Sequence, residues 1–268
     1  WRGEEVLDGR LEIMRRLAGG GALETGQPLM DGVPAVDAPE AFSTQRLTSD
    51  NPPLQRLLYD GEMISFYEFF LGGEVRHFDV TWFRVKLPGS DSTTPHYDIV
   101  YMGRGTTELF TSWVPFGSTP LEMGGLMILE GSHQLTELRA TYGKTDVDLY
   151  CENEGDAAAI VSGAKEANRP LEPHERDALR WNSSGHYSED AAAAREQLGG
   201  RWLSENFEIG DVVILSMYTM HAGADNQSDR IRISSDSRYQ LASEPVDERW
   251  IGDDPPAHGV RAKRGMIC

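Results

Sequence analysis

The stretch GDVVILSMYTMHAGADNQSDRIRISS, residues 210–235, decides how the rest of the chain is read. It runs from a Gly-Asp turn through a continuous apolar segment of strand length, then His221, a polar turn, and a segment in which Ile231 and Ile233 alternate with polar residues. An unbroken apolar run of this length reads as a strand buried on both faces, and alternation reads as a strand with one apolar and one polar face. A histidine at the end of a buried strand is well placed to project into a cavity.

Upstream, TTPHYDIVYMG at 93–103 sets His96 and Asp98 one residue apart in a run that reads as a further strand over 97–102. Successive strand side chains point to opposite faces, so His96 and Asp98 share a face and Tyr97 points the other way. The pair alone also reads as two polar residues on a solvated face, because 7 histidines among 43 acidic residues produce chance pairs. His221 changes the balance. Two imidazoles and one carboxylate with three open positions suit non-haem Fe(II) oxygen chemistry.

Eleven residues after His221 comes Arg232, whose guanidinium fork matches a carboxylate such as the far end of a keto-acid cosubstrate. Arg230, Arg232, Ser234 and Arg238 share parity, so alternation does not choose among the arginines. In VTWFRVKLPG, 80–89, Thr81, Phe83, Val85 and Leu87 alternate with Trp82, Arg84 and Lys86. The cationic face either meets solvent along snorkelling stems or lines a cavity that binds a carboxylate.

Around these segments the spacing predicts a helix over 4–18 that stops at Gly19-Gly20-Gly21, and two helices within 49–73 broken near Asp60-Gly61. Further strands are expected at 107–114, 125–130, 212–218 and 231–240. Residues 134–206 form a long acidic, Ala-rich excursion with a helix over 188–200, of the kind that covers a site or packs on a flank. The tail, 244–268, reads as loosely ordered.

Composition excludes several classes. With 39% apolar and 25% charged residues the 268-residue chain belongs with folded globular proteins. The formal charge of −18 opposes unaided binding to nucleic acid or an anionic membrane. No apolar run approaches the roughly 18 residues of a membrane helix. Two cysteines, Cys151 and Cys268, are too few for a disulfide framework and fit a reducing compartment, which makes a cytoplasmic location the expectation. The chain opens on Trp1 rather than Met, and its visible start does not resemble a signal peptide.

The motifs PHYD, WVPF, EMGGLMILEGSH, GDVVILSMYTMHAGADNQS and RIRISSDSRYQ occur in the order and rough spacing of the phytanoyl-CoA dioxygenase family of Fe(II)/2-oxoglutarate oxygenases, which the chain resembles over about residues 50–240. The resemblance implies His96, Asp98 and His221 as iron ligands and Arg232 as partner of the distal carboxylate of 2-oxoglutarate, with Trp113 near the cosubstrate. Arg84 joins them as a candidate cosubstrate contact. Many members carry Gln where this chain has Tyr97, and some carry Ser where it has Gly223. Related halogenases have a small residue in place of Asp98, leaving room for chloride, so its presence implies oxygen insertion.

The remaining histidines have weaker claims: His133 as a turn residue, His174 and His186 as solvent-facing or substrate contacts, His77 and His258 with no supporting pattern. The expectation is a mainly β chain with flanking helices. It is one oxygenase domain over 1–268, a double-stranded β-helix of the jelly-roll, cupin-like kind. N-terminal helices occupy 4–72, core strands about 75–133 and 206–243, and the insertion 134–206 lies over the active site. The activity expected is hydroxylation of a small molecule using Fe(II), 2-oxoglutarate and O2, with release of succinate and CO2. The rivals are a non-redox cupin-like metal protein, whether isomerase or binding module, and a halogenase. The acidic charge disfavours a CoA thioester as substrate.

Overall fold

The computed structural model describes residues 2–39, 42–179 and 183–268. Helices come first: α1 (Gly3–Gly19), α2 (Thr44–Thr48), α3 (Pro52–Tyr59) and α4 (Glu62–Leu71). Then follow β1 (Val75–His77), β2 (Trp82–Lys86), α5 (Ile99–Met102), β3 (Phe110–Pro115) and β4 (Leu126–Leu129). The excursion holds α6 (Thr136–Ala140), β5 (Leu149–Cys151), α7 (Gly155–Glu166), α8 (Pro173–Ala178), α9 (Ala191–Leu198) and β6 (Trp202–Leu203). β7 (Val213–Ser216), β8 (His221–Gly223), β9 (Arg232–Leu241) and β10 (Arg264–Met266) complete the chain.

Local signals explain the helical start. The Asn51 side chain accepts from the Leu54 amide at 3.1 Å and caps α3, whose first two positions are the prolines 52 and 53. α4 ends on Gly72 with φ of 76°, the left-handed conformation that favours glycine.

Two antiparallel sheets form the β-core. β9 is the spine of the larger: β1 and β2 pair with it on one side, with Trp82 opposite Asp236 and Lys86 opposite Arg232. β3 pairs on its other side, with Thr111 opposite Arg238, and β7 continues outward from β3. The smaller sheet is β6-β4-β8. This is the jelly-roll type of architecture, in which two antiparallel sheets face each other.

Alternation along β2 and β9 decides what each face meets. Phe83, Val85, Ile231, Ile233 and Tyr239 pack against Val6, Ile13 and Met14 of α1, Leu54, Leu57 and Leu58 of α3, and Met63 and Tyr67 of α4. The opposite parity, Arg84, Arg232 and Asp236, faces inward and lines a cavity between the sheets. A second core, with Tyr97, Val100, Met102, Met217, Met220 and Trp250, lies on the side of the excursion.

Four expectations are corrected. The apolar strand ends at Ser216, a turn follows at 217–218, and His221 opens β8 in the smaller sheet instead of ending β7. The run 97–102 is no strand. His96 forms one antiparallel bridge with His221, the chain turns at Asp98, and 99–102 wind into α5. A short buried apolar run carries no periodicity that separates strand from helix, and burial of Ile99, Val100 and Met102 against the second core sets the outcome.

The tail is not loose: Arg249 and Trp250 are buried, and β10 pairs parallel with β5. Cys151 and Cys268 are disulfide-bonded. The partners of the tail are distant in sequence, β5 of the excursion for β10 and Phe78 and Trp82 for Trp250, so no local pattern announces this order. The paired cysteines contradict the reading of two reduced thiols, so cysteine usage gives no support to a cytoplasmic location. Among the described residues no helix is long and apolar enough to cross a membrane.

Candidate active site

The site lies where the two sheets meet at the His96–His221 bridge. The backbones of these residues bond reciprocally at 3.0 and 3.1 Å, which brings the imidazole centroids to 4.2 Å. Each Nδ1 stands beside a carbonyl oxygen, Thr94 at 2.8 Å and Thr219 at 2.9 Å. A carbonyl can only accept, so both rings carry their proton on Nδ1 and present a bare Nε2 to the cavity.

Asp98 closes the third corner. Its Oδ1 is 3.6 Å from Nε2 of His96 and 3.8 Å from Nε2 of His221. The three groups converge as expected, but through the turn at Asp98 rather than strand parity, which swings the carboxylate back toward the rings. All three side chains are buried, and they form one of two His/Cys/Asp/Glu groups among the described residues compact enough to hold a metal ion. The other joins the disulfide cysteines to Glu154.

The charges suit a cation. Burial alone would push the Asp98 carboxyl up, but Arg238 foremost, then His221 and His96, hold it well below its usual range. Burial, reinforced by the neighbouring His96, pushes His221 down to about 4, so its ring is neutral and able to ligate near neutral pH. A buried acceptor set of two imidazoles and one carboxylate fits a divalent transition metal.

The cavity beside this group is lined by Arg84, Trp113 and Arg232 together with His96 and His221. Arg232 is 4% exposed and donates to Ser234 Oγ at 2.9 Å, while its Nε has no partner. Burial pulls its pKa down to about 10. Arg230 lies in the preceding turn, partly exposed and paired with Asp229. The structure therefore separates two arginines that parity left equal. Arg84 bonds Asp236 at 3.0 Å, and Trp113 packs on Phe207. The excursion reaches the rim, where the Tyr187 amide donates to the Pro95 carbonyl at 2.8 Å.

The other histidines stand outside the group. His133 and His174 are exposed, and His186 pairs with Glu189. His77 stacks on Tyr59, and His258 bonds the fully buried Asp148 at 3.0 Å, a partnership no local pattern signalled. Tyr97 is fully buried and donates to the Ser132 carbonyl at 2.6 Å, facing the second core. Gly223 lines the cavity, and Ser92 Oγ occupies the space a side chain would need: a Cβ there would lie 2.0 Å from it.

The family model for phytanoyl-CoA dioxygenase (PhyH) matches residues 66–234, well over half of the chain and inclusive of this site. The chain belongs to the phytanoyl-CoA dioxygenase family. Members of this family are non-haem, 2-oxoglutarate-dependent iron oxygenases, and the chain is an enzyme of that class, with iron, 2-oxoglutarate and O2 as its cofactor set.

Solved structures agree on the jelly-roll fold. The epimerase SnoN in complex with Fe3+, α-ketoglutarate and nogalamycin RO aligns over 95% of this chain and 85% of its own, at 20% identity and a TM-score of 0.55. EctD from S. alaskensis in its apoform aligns over 100% and 81%, at 16% identity and a TM-score of 0.57. The same protein with 2-oxoglutarate and 5-hydroxyectoine aligns over 97% and 80%, at 15% identity and a TM-score of 0.53. At these identities the likeness concerns the fold alone. No curated protein matches the chain.

Proposed function

We propose that this PhyH-family chain, acting as a single oxygenase domain, hydroxylates a small organic molecule, with His96, Asp98 and His221 as the ligands of Fe(II) and Arg232 as the anchor of the 2-oxoglutarate distal carboxylate. The observation that carries the reading is the convergence of two bare Nε2 atoms and Asp98 Oδ1 on one point of a cavity that also holds a buried arginine with an unpartnered N–H. A buried cation left partly unsatisfied is costly unless a ligand completes its bonds, and a dicarboxylate cosubstrate would complete those of Arg232.

Bound iron and 2-oxoglutarate supply the oxidising power, with succinate and CO2 released. The chain supplies position, charge and dryness. The Thr94 and Thr219 carbonyls hold the two rings in the ligating tautomer. Trp113 on the cavity lining would offer the cosubstrate an apolar wall, and Arg84, held by Asp236, places a second cation on that lining. Asp98 occupies the place that chloride needs in a halogenase, which favours oxygen insertion. The net charge of −18 favours a small metabolite over a polyanionic partner.

Incubating the protein with Fe(II), 2-oxoglutarate and O2, and measuring succinate while candidate small molecules are added, tests the reading. Wild type forms succinate, and product from the accepted substrate carries oxygen from O2. His96→Ala and Asp98→Ala each abolish turnover while the far-ultraviolet circular dichroism stays native. Full activity in either variant would sink the ligand assignment.

A further inference from the structure

We propose that Arg238 is a positioning residue of the metal centre, acting with Thr111 to keep the Asp98 carboxylate turned toward the two imidazoles. The inference rests on the reading of His96, Asp98 and His221 as metal ligands. Thr111 and Arg238 are cross-strand partners of β3 and β9, so two donors in one register converge on one carboxylate. The Thr111 hydroxyl donates to Asp98 Oδ2 at 2.5 Å, and Arg238 Nη2 spans both oxygens at 3.2 and 3.3 Å. The carboxylate is thereby gripped mainly on its outer oxygen, while Oδ1 is left between the Nε2 atoms.

The arginine is itself held fast. Its guanidinium carbon lies 4.2 Å from the centre of the Trp82 ring, a cation–π contact, and the residue is 2% exposed. Asp98 is its ionic partner at 3.2 Å, yet its Nε and Nη1 are buried without partners. An arginine kept for sheet stability would satisfy those N–H groups. This one is aimed at a single carboxylate that the metal site needs ionised and oriented. Outer partners of metal ligands matter because a ligand free to rotate loses ordering entropy on every binding event.

The experiment is an anaerobic competition titration of Fe(II) between the 268-residue chain and a coloured chelator, run on wild type, Asp98→Ala, Arg238→Gln, Arg238→Lys and Thr111→Val, with thermal melts alongside. Expected are loss of tight binding in Asp98→Ala, a loss of about 10- to 100-fold in Arg238→Gln, and recovery of most of that loss in Arg238→Lys, which keeps a cationic donor. Thr111→Val, which removes only the hydroxyl at nearly constant shape, weakens binding in the same direction and decides the matter if Arg238→Gln does not fold. Wild-type affinity in both Arg238→Gln and Thr111→Val, with Asp98→Ala impaired, would overturn the inference and leave the ligand reading standing. Equal loss in the Gln and Lys variants would also overturn it, since packing rather than charge would then be at work. Wild-type affinity in Asp98→Ala would overturn both.

Discussion

Arg232 and His221 show how the same burial acts in opposite directions on function. A guanidinium desolvated against Ser234 is primed for a carboxylate, and removing it strips at least one charge-assisted contact worth about 1.5–3 kcal/mol. Arg232→Ala should therefore raise the 2-oxoglutarate concentration needed for half-maximal succinate formation by about tenfold or more, whereas Arg230→Ala, at the surface beside Asp229, should leave it within twofold. A raised requirement in Arg230→Ala alone would show that the anchor was misassigned. For His221, burial lowers the folded-state pKa to about 4 against an ordinary value of 6.5. The unfolded chain then binds the extra proton between these limits, so the stability of the iron-free protein falls as pH drops from about 6.5 to about 4. Melting temperatures across that window test this, and His221→Ala should flatten the slope. At this scale the sequence spoke clearly wherever one residue type has a narrow chemistry. His96, Asp98 and His221 were legible as a candidate group, but Arg238 was indistinguishable from its neighbours because its meaning lies in cross-strand register.

The elements were legible in proportion to their periodicity. The alternation of 231–240 and 80–89 told which faces were apolar, and those faces do pack beneath α1, α3 and α4. The Asn51 cap of α3 and the glycine stop of α4 are signals of the same local kind. The run 97–102 failed because four apolar residues fit a strand or a helix turn, and only the second core chooses. Leu58, fully buried where α3 meets β9, tests the helix–sheet packing that supports Arg232 and Arg238 from behind. Leu58→Ala should cost about 2–5 kcal/mol in urea unfolding. A loss below 0.5 kcal/mol would mean that the helices do not brace the sheet.

At the scale of the molecule the excursion and the tail form one assembly that no local signal announced. Arg249 bonds Asp148 and Asp247, Arg104 bonds Asp146 and the Ala262 carbonyl, and the Cys151–Cys268 bond closes a separation of 117 residues. Cross-linking so distant a pair restricts the unfolded chain strongly, so reduction should lower stability by about 2–5 kcal/mol. An unchanged denaturation midpoint with and without a dithiol reductant would contradict that. The proposed activity requires that iron and 2-oxoglutarate meet in the cavity lined by His96, His221 and Arg232. Its most direct measurement is a titration of the anaerobic Fe(II)-loaded protein with 2-oxoglutarate, followed by visible absorption. A weak charge-transfer band should rise with saturable dependence on 2-oxoglutarate and require a higher concentration in Arg232→Ala. No band from wild type at any concentration would contradict the account and favour a non-redox metal protein.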